Sequence, residues 1–536
     1  MRRHFRSHGL ALVAIMTGVL ILTACGSTPS SPAESGSSTK VIKPAGSLTI
    51  AADFRAATFD PRTGTANTFQ NLAAGTFDSL VELTPNAQAR PGLAERWEIS
   101  PDGKDHTFYI RKGVKFHDGS DLTGVDVKFS IDRGLAPEAT QAQVLQWRAA
   151  IASVELKDEY TVVLHRKQPL FEMDPLIENL TSLAAIVPKK YIEAKGDEYF
   201  GAHPVGSGPY KVVRYEPGNL VELEAVENHW RVVPQFKTIK LVNITEEATK
   251  VAMLKTGELD IAQISPDSAT GLKAAGLRML VHDGGAQYYM NTFYDLTNPD
   301  KYALGDVRVR KGLSMSVDRK EMAQSLYGGY AESSAFYYAP KTAFFFDPNV
   351  LKPDPFDPEG AKKLFAGAGY PKGFPLKFWD IGGGIVTTFD QAVVGYFRKV
   401  GVNAELVAIE QAALAKMYQP KHTPPMWDTI RATSTGGGVF QFEKIALVYH
   451  STQSSSKVIS NPKLDQLIEQ VPLTRDPAEK KRLALEAAVL AKNDFSSVPI
   501  LDMFTPFALG PKVGEFAPIK NMTGIAASLE TITQAK

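Results

Sequence analysis

Cysteine is almost absent: Cys25 is the single one in 536 residues. Everything after it therefore folds without disulfides, thiolate metal sites or a cysteine nucleophile. Charge bias is lacking as well. The 59 Lys and Arg, less the three arginines among the first six residues, leave about 56 basic against 58 acidic residues, a formal charge of about −2 for the body. With the signs interspersed, that balance offers no basic footprint for nucleic acid. Beyond Cys25 no apolar run approaches the roughly 20 residues that a membrane-spanning helix needs. Also missing beyond Cys25 are an internal repeat, a pair of histidines at i, i+4, the G-x-S-x-G of a nucleophile elbow, and the Lys-Ser/Thr of a phosphate-binding loop.

What is present begins at the N-terminus. Arg2, Arg3 and Arg6 precede an apolar stretch from Gly9 to Leu22, and Leu22-Thr23-Ala24-Cys25 places small residues ahead of the cysteine. Positive, apolar, small is the order of an export signal, and these last four residues resemble the lipobox of bacterial lipoproteins. The resemblance implies removal of residues 1–24 and acylation of Cys25, and two or more acyl chains make a stable membrane anchor. Residues 25–45 are rich in Ser, Thr, Pro and Gly. They cannot bury enough apolar surface to fold, and as a flexible coil they form a tether reaching roughly 25 Å.

From residue 46 onward the chain is 44% hydrophobic in character, as is the whole, and long enough for several domains around large cores. Strand and helix patterns alternate. Leu48-Thr49-Ile50 opens a strand. Trp97-Glu98-Ile99 and Thr107 to Ile110 flank a Pro-Asp-Gly turn, and Tyr210 to Tyr215 with Leu220 to Glu224 make a hairpin turned by Glu216-Pro217-Gly218-Asn219. Thr123 with Asp126, and Asp318 with Glu321, have capping-box spacing; Asp357 followed by Pro358 starts another helix. Phe374 to Trp379 and Val402 to Ile409 read as strands around a helix at Phe389 to Lys399, an alternation suited to a separate lobe. Asn461 to Gln470 and Asp476 to Ala491 read as helices, and Val498 to Leu501 as an apolar strand.

Few residues here suggest chemistry. His117-Asp118-Gly119 reads as a turn, since the other histidines stand singly. Gly206-Ser207-Gly208 reads as a place of close backbone approach, and the runs Gly382-Gly383-Gly384 and Gly436-Gly437-Gly438 as mobile or close-approach loops. Trp427 to Thr435, followed by Gly436, Phe440 and Phe442, combines apolar walls with polar anchors of the kind a pocket needs.

Seven blocks in order resemble the large extracytoplasmic solute-binding proteins of ABC importers for peptides, nickel and related solutes. They are Arg90 to Ile110, Arg111 to Gly119, Val205 to Tyr210, Leu254 to Asp260, Asp306 to Lys311, Tyr327 to Tyr330, and Asp357 to Pro371. The resemblance implies an α/β, two-lobed periplasmic-binding-protein type II fold with mixed sheets and a cleft between the lobes. Lobe 1 would be 46–291, with an extra subdomain about 78–199, lobe 2 292–497, and 498–536 a return to lobe 1, with hinges at 287–291 and 498–505. It implies a monomer without catalysis or cofactor that closes on a peptide or small solute and presents it to permease subunits. Phe54, Arg55, Phe59, Tyr288, Tyr289, Asn291, Trp427, Arg431, Thr433, Gly436 and Phe440 would face the ligand. Peptide-binding members carry an aspartate in the region where this chain has Thr433 to Gly438 and no acid. Either another carboxylate, Asp53 for one, meets a ligand ammonium, or the ligand has none, because an uncompensated buried ammonium is costly. The alternatives are an exported serine or carboxylate hydrolase, tested at Ser207, and a surface solute sensor not coupled to uptake.

Overall fold

In the computed structural model the described residues are 43–519 and 526–536, apart from 53, 55–57, 64–74, 87, 142–143, 172–183, 284–285, 295, 297, 338–340, 342, 381, 383, 411–427, 436–441 and 453–458. The leader, Cys25 and most of the tether lie outside them. Among the described residues no helix is long and apolar enough to cross a membrane.

Two mixed sheets organise the body. The first has seven strands in the order Arg278–His282, Thr505–Leu509, Ile261–Gln263, Ser47–Ala51, Thr238–Val242, Leu220–Ala225 and Tyr210–Glu216. Ser47–Ala51 lies between two parallel neighbours, with Ile50 opposite both Leu241 and Ile261. A parallel strand inside a sheet that is covered on its faces is rich in apolar residues; Leu48 and Ile50 are fully buried here. The second sheet has six strands in the order Ala331–Ser333, Ser497–Met503, Gln287–Phe293, Thr429–Thr435, Pro375–Asp380 and Asn403–Ala408. Helices Pro358–Gly367 and Gly384–Lys399 pack against it through Phe365, Phe389, Val393 and Phe397. A four-stranded antiparallel sheet, Ala94–Ile99, Asp105–Ile110, Thr161–Arg166 and Ile151–Asp158, forms the inserted subdomain with its own core around Trp147 and Phe108.

Between the two large sheets the chain passes after His282 and before Gln287, and returns between Met503 and Thr505. The resemblance assigns 287–291 to lobe 1 and 498–503 to the returning segment. The structure instead pairs both strands within the second sheet, Tyr288 opposite Leu501 and Met290 opposite Val498. Their apolar side chains explain the shift, since Met290, Val498 and Ile500 fill the second core and leave only 283–286 and 504 to bridge the sheets.

Local signals formed as expected. Thr123 caps the helix Gly124–Leu135 with the reciprocal Asp126 carboxylate accepting from the Thr123 N–H at 3.0 Å. Asp318 and Asp357 cap their helices at Glu321 N (3.0 Å) and Gly360 N (2.8 Å). The Glu216–Asn219 turn joins Tyr210–Glu216 to Leu220–Ala225. One glycine run departs: Gly384 is the first residue of a sixteen-residue helix that begins five residues before Phe389.

Candidate functional site

In open α/β sheets ligands sit in the crevice beyond the carboxyl ends of parallel strands. Pro375–Asp380 and Thr429–Thr435 run parallel, Phe378 opposite Ile430 and Trp379 opposite Arg431, so their carboxyl ends finish on one edge. Antiparallel to Thr429–Thr435 lies Gln287–Phe293, which brings Tyr289 opposite Thr433 and Asn291 opposite Arg431. That edge is also where the chain crosses between the sheets.

Tyr288 and Tyr289 point to opposite faces, as neighbours on a strand must. Tyr288 stacks on Phe389 at 4.8 Å between ring centres and lies 6.1 Å from Tyr327; Tyr289 lies 3.6 Å from Tyr337. Both are buried. Asn291 is buried too and accepts a hydrogen bond from the Ser497 hydroxyl. Arg431 is half-buried. Phe54 and Phe59 are a correction. Both are fully buried in the core of the first lobe, Phe59 edge-on to Tyr215 at 4.9 Å, and they serve packing rather than a ligand surface. Their place after the first strand is the reason, because chain leaving a central strand enters the packed layer. Thr433 is placed by its backbone; Arg55, Trp427, Gly436 and Phe440, with Asp53, lie outside the described residues.

Two acids at this edge escape the motif reading. Asp380 ends its strand, is buried, and accepts from Gly382 N at 2.7 Å and from the Thr387 hydroxyl at 3.2 Å. Asp390, one turn and a half into the helix Gly384–Lys399, is fully buried, and among the described residues neither of its oxygens has a hydrogen-bond donor. Burial, together with the negative charge of Asp380, pushes the Asp390 carboxyl up to about 8, and Arg431 only partly opposes this. Near neutral pH Asp390 therefore keeps its proton. A signal was there to be read: an acid at the end of an apolar strand, Phe378-Trp379-Asp380, just before a glycine run. At the crossing itself Gln287 donates to Asp502 Oδ1 at 2.6 Å, to the Ser334 hydroxyl at 2.8 Å and to the Phe336 carbonyl at 3.0 Å. Burial raises Asp502.

The sequence blocks of the first lobe converge elsewhere, on a buried polar knot. Asp78 accepts from the Ser207 hydroxyl (3.1 Å), the Trp230 indole N–H (2.9 Å) and Arg231 Nη2 (3.1 Å), while Arg231 also reaches Glu530 at 3.0 Å. Burial opposes the charge of Asp78, yet His229 and Arg231 hold its carboxyl below the usual range. Burial pushes Glu82, 3.9 Å from Arg231, up to about 7. Ser, His and Asp are thus neighbours, but not as a nucleophile and its base. The His229 ring nitrogen sits 2.9 Å from the Ser207 carbonyl, and the hydroxyl turns to the acid in a fully packed interior. A nucleophile must instead be exposed and bonded to its base. His117 stands in the expected turn, where Gly119 N–H donates to the Phe116 carbonyl at 2.9 Å, and its ring also bonds the distant Gly208 carbonyl at 2.9 Å.

Comparison with known proteins follows the same lines. A family model described as bacterial extracellular solute-binding proteins, family 5 middle, matches residues 88–447. The glutathione-binding protein GsiB of Salmonella paratyphi A is 25% identical over 454 residues, spanning 83% of this chain and 86% of the relative. Among solved structures, HbpA2 from Haemophilus parasuis superposes with a TM-score of 0.80 at 22% identity, covering 92% of this chain and all of the other. The periplasmic binding protein DppA from Helicobacter pylori, solved with the peptide STSA, gives 0.70 at 20% identity, covering 92% and 98%. The shared feature is the two-lobed mixed α/β fold.

Proposed function

The chain belongs to the bacterial extracellular solute-binding proteins of family 5, and from that membership we propose that it is the capture subunit of an ABC importer for a peptide-like solute, held to the membrane through Cys25. It is a substrate-binding protein of the class that handles peptides, nickel and glutathione, and no covalent step enters its work. Ligand capture closes one lobe on the other, and permease subunits respond to the closed form.

One observation carries the reading: the chain crosses between two separately cored sheets at 283–286 and 504, beside the carboxyl ends of the strands that bear Asp380 and Arg431. Two short bridges allow hinge motion without repacking either core. The ligand surface on this proposal is Tyr288, Tyr289, Asn291, Arg431 and Thr433, joined by Arg55, Trp427, Gly436 and Phe440. Hydrolase chemistry at Ser207 finds no support in the packing around it.

Thermal unfolding in the presence of reduced glutathione, the tetrapeptide Ser-Thr-Ser-Ala, and nickel tests the function. A ligand at 100 times its Kd adds about 2.7 kcal/mol of stability, so at least one of the three, or a wider peptide pool, raises Tm by several degrees. No shift from any member of such a panel overturns the proposal.

A further inference from the structure

Away from the two bridges, a contact joins the second lobe to the inserted subdomain. The guanidinium of Arg475 lies over the ring of Phe171, 4.5 Å from its centroid. Arg475 belongs to the second lobe, in the connection between the turn Val471–Leu473 and the helix Pro477–Asp494. Phe171 follows Thr161–Arg166, a strand of the four-stranded sheet.

Each side of the contact is held rigidly from behind. The Phe171 ring rests against the Pro101-Asp102-Gly103 turn, where a Cβ on Gly103 would come within 2.6 Å of Phe171 Cε1, so only glycine lets the ring seat there. Gly103 also has a φ of +73°, a conformation that other residues resist. The segment before the ring is clamped by Leu170 N–H donating to the Gly103 carbonyl at 2.8 Å and by the buried His106 ring at 3.0 Å from the Leu170 carbonyl. Opposite, the Asp476 carboxylate caps its helix by accepting from Glu479 N at 2.7 Å, which fixes the residue next to Arg475. Arg475 itself is exposed and Phe171 half-buried, so neither is needed to complete a core. A flat cation over an aromatic face is attractive wherever the two are presented to each other.

We propose that Phe171 and Arg475 form an interlobe latch, a cation–π contact that favours the approach of the lobes and slows their separation. It rests on the reading that the protein works by lobe closure. Because the bridges are at 283–286 and 504, rotation about them carries Arg475 away from Phe171, and the contact is made only when the lobes are near.

Distance measurement tests this without a ligand, so its failure is distinguishable from failure of the transport proposal. The body has no cysteine, so Ser153→Cys on the subdomain and Lys481→Cys on the second lobe, in a Cys25→Ser background, take spin labels at two positions only. Arg475→Ala is expected to shift weight to longer interlobe distances, changing the ratio of near to far populations about two- to fivefold. Phe171→Leu, which keeps bulk on the Gly103 turn, gives the same shift, and adding it to Arg475→Ala produces no further change. Arg475→Lys retains part of the near population. Distance distributions of Arg475→Ala that superpose on the parent overturn the latch, as do two substitutions whose effects simply add.

Discussion

At the scale of single residues, the acid pair of the second lobe is where charge and burial conflict most. Asp390 is held protonated up to about pH 8, against the ordinary value of 3.8. A carboxyl raised in the folded state binds its proton more tightly there than in the unfolded chain. Its share of stability is therefore present below the ordinary value and lost as pH rises toward 8. Asp390→Asn removes that loss, and urea unfolding of the variant should vary less with pH between 4 and 8, with a gain of about 1 to 3 kcal/mol at pH 8. A variant as pH-sensitive as the parent would assign the slope to another group. Ser207→Ala checks the opposite lobe. Loss of the hydroxyl removes one of four hydrogen bonds onto Asp78 and lowers stability by about 1 to 2 kcal/mol. Ligand affinity, measured by calorimetry on the folded variant, should stay unchanged; a selective loss of affinity would place Ser207 in the site.

Secondary-structure elements show why some signals carried over and others did not. Caps and tight turns are local, so Thr123, Asp318, Asp357 and the Glu216–Asn219 turn could be read directly. Thr123→Ala should cost about 1 kcal/mol in urea unfolding, because the side-chain half of the capping box goes with it while Asp126 still accepts from the backbone N–H of residue 123. The block Val205 to Tyr210 is legible as a motif yet silent about its cause, which is long-range: a Cβ on Gly206 would lie 2.0 Å from the Thr76 carbonyl oxygen, and one on Gly208 2.2 Å from that of Gly75. Backbone cannot give way as a side chain can. Gly206→Ala should therefore be among the most damaging single changes, losing about 3 kcal/mol or more by chemical unfolding. The site itself was less legible than the fold. Strand pairing sets Tyr288, Tyr289, Asn291 and Arg431 close together, yet Tyr288 and Tyr289 pack into cores of the second lobe as Phe54 and Phe59 do into that of the first. Aromatics in or after a strand suit a ligand surface or a core, and only tertiary contacts decide between them.

Over the whole molecule the two large sheets draw on the chain unequally. The second is assembled entirely from 287–503, but the first needs Ser47–Ala51, the strands between 210 and 282, and Thr505–Leu509 from near the C-terminus. Thr505–Leu509 is not a trailing edge: it sits between Arg278–His282 and Ile261–Gln263, with Ala508 opposite both Met279 and Ala262. A chain stopped after Met503 should keep slow hydrogen exchange in the second sheet and lose it across Ile261–Gln263 and Arg278–His282. Intact protection there would show that the inserted strand is dispensable.

That inserted strand also sets a timetable. A polypeptide emerges from its ribosome beginning with the half that must finish last, so the lobe encoded first keeps a gap one strand in from the edge of its sheet until almost the final residues arrive. The later-encoded lobe meets no such delay, and completed molecules should acquire their two halves in the reverse of the order in which they are made.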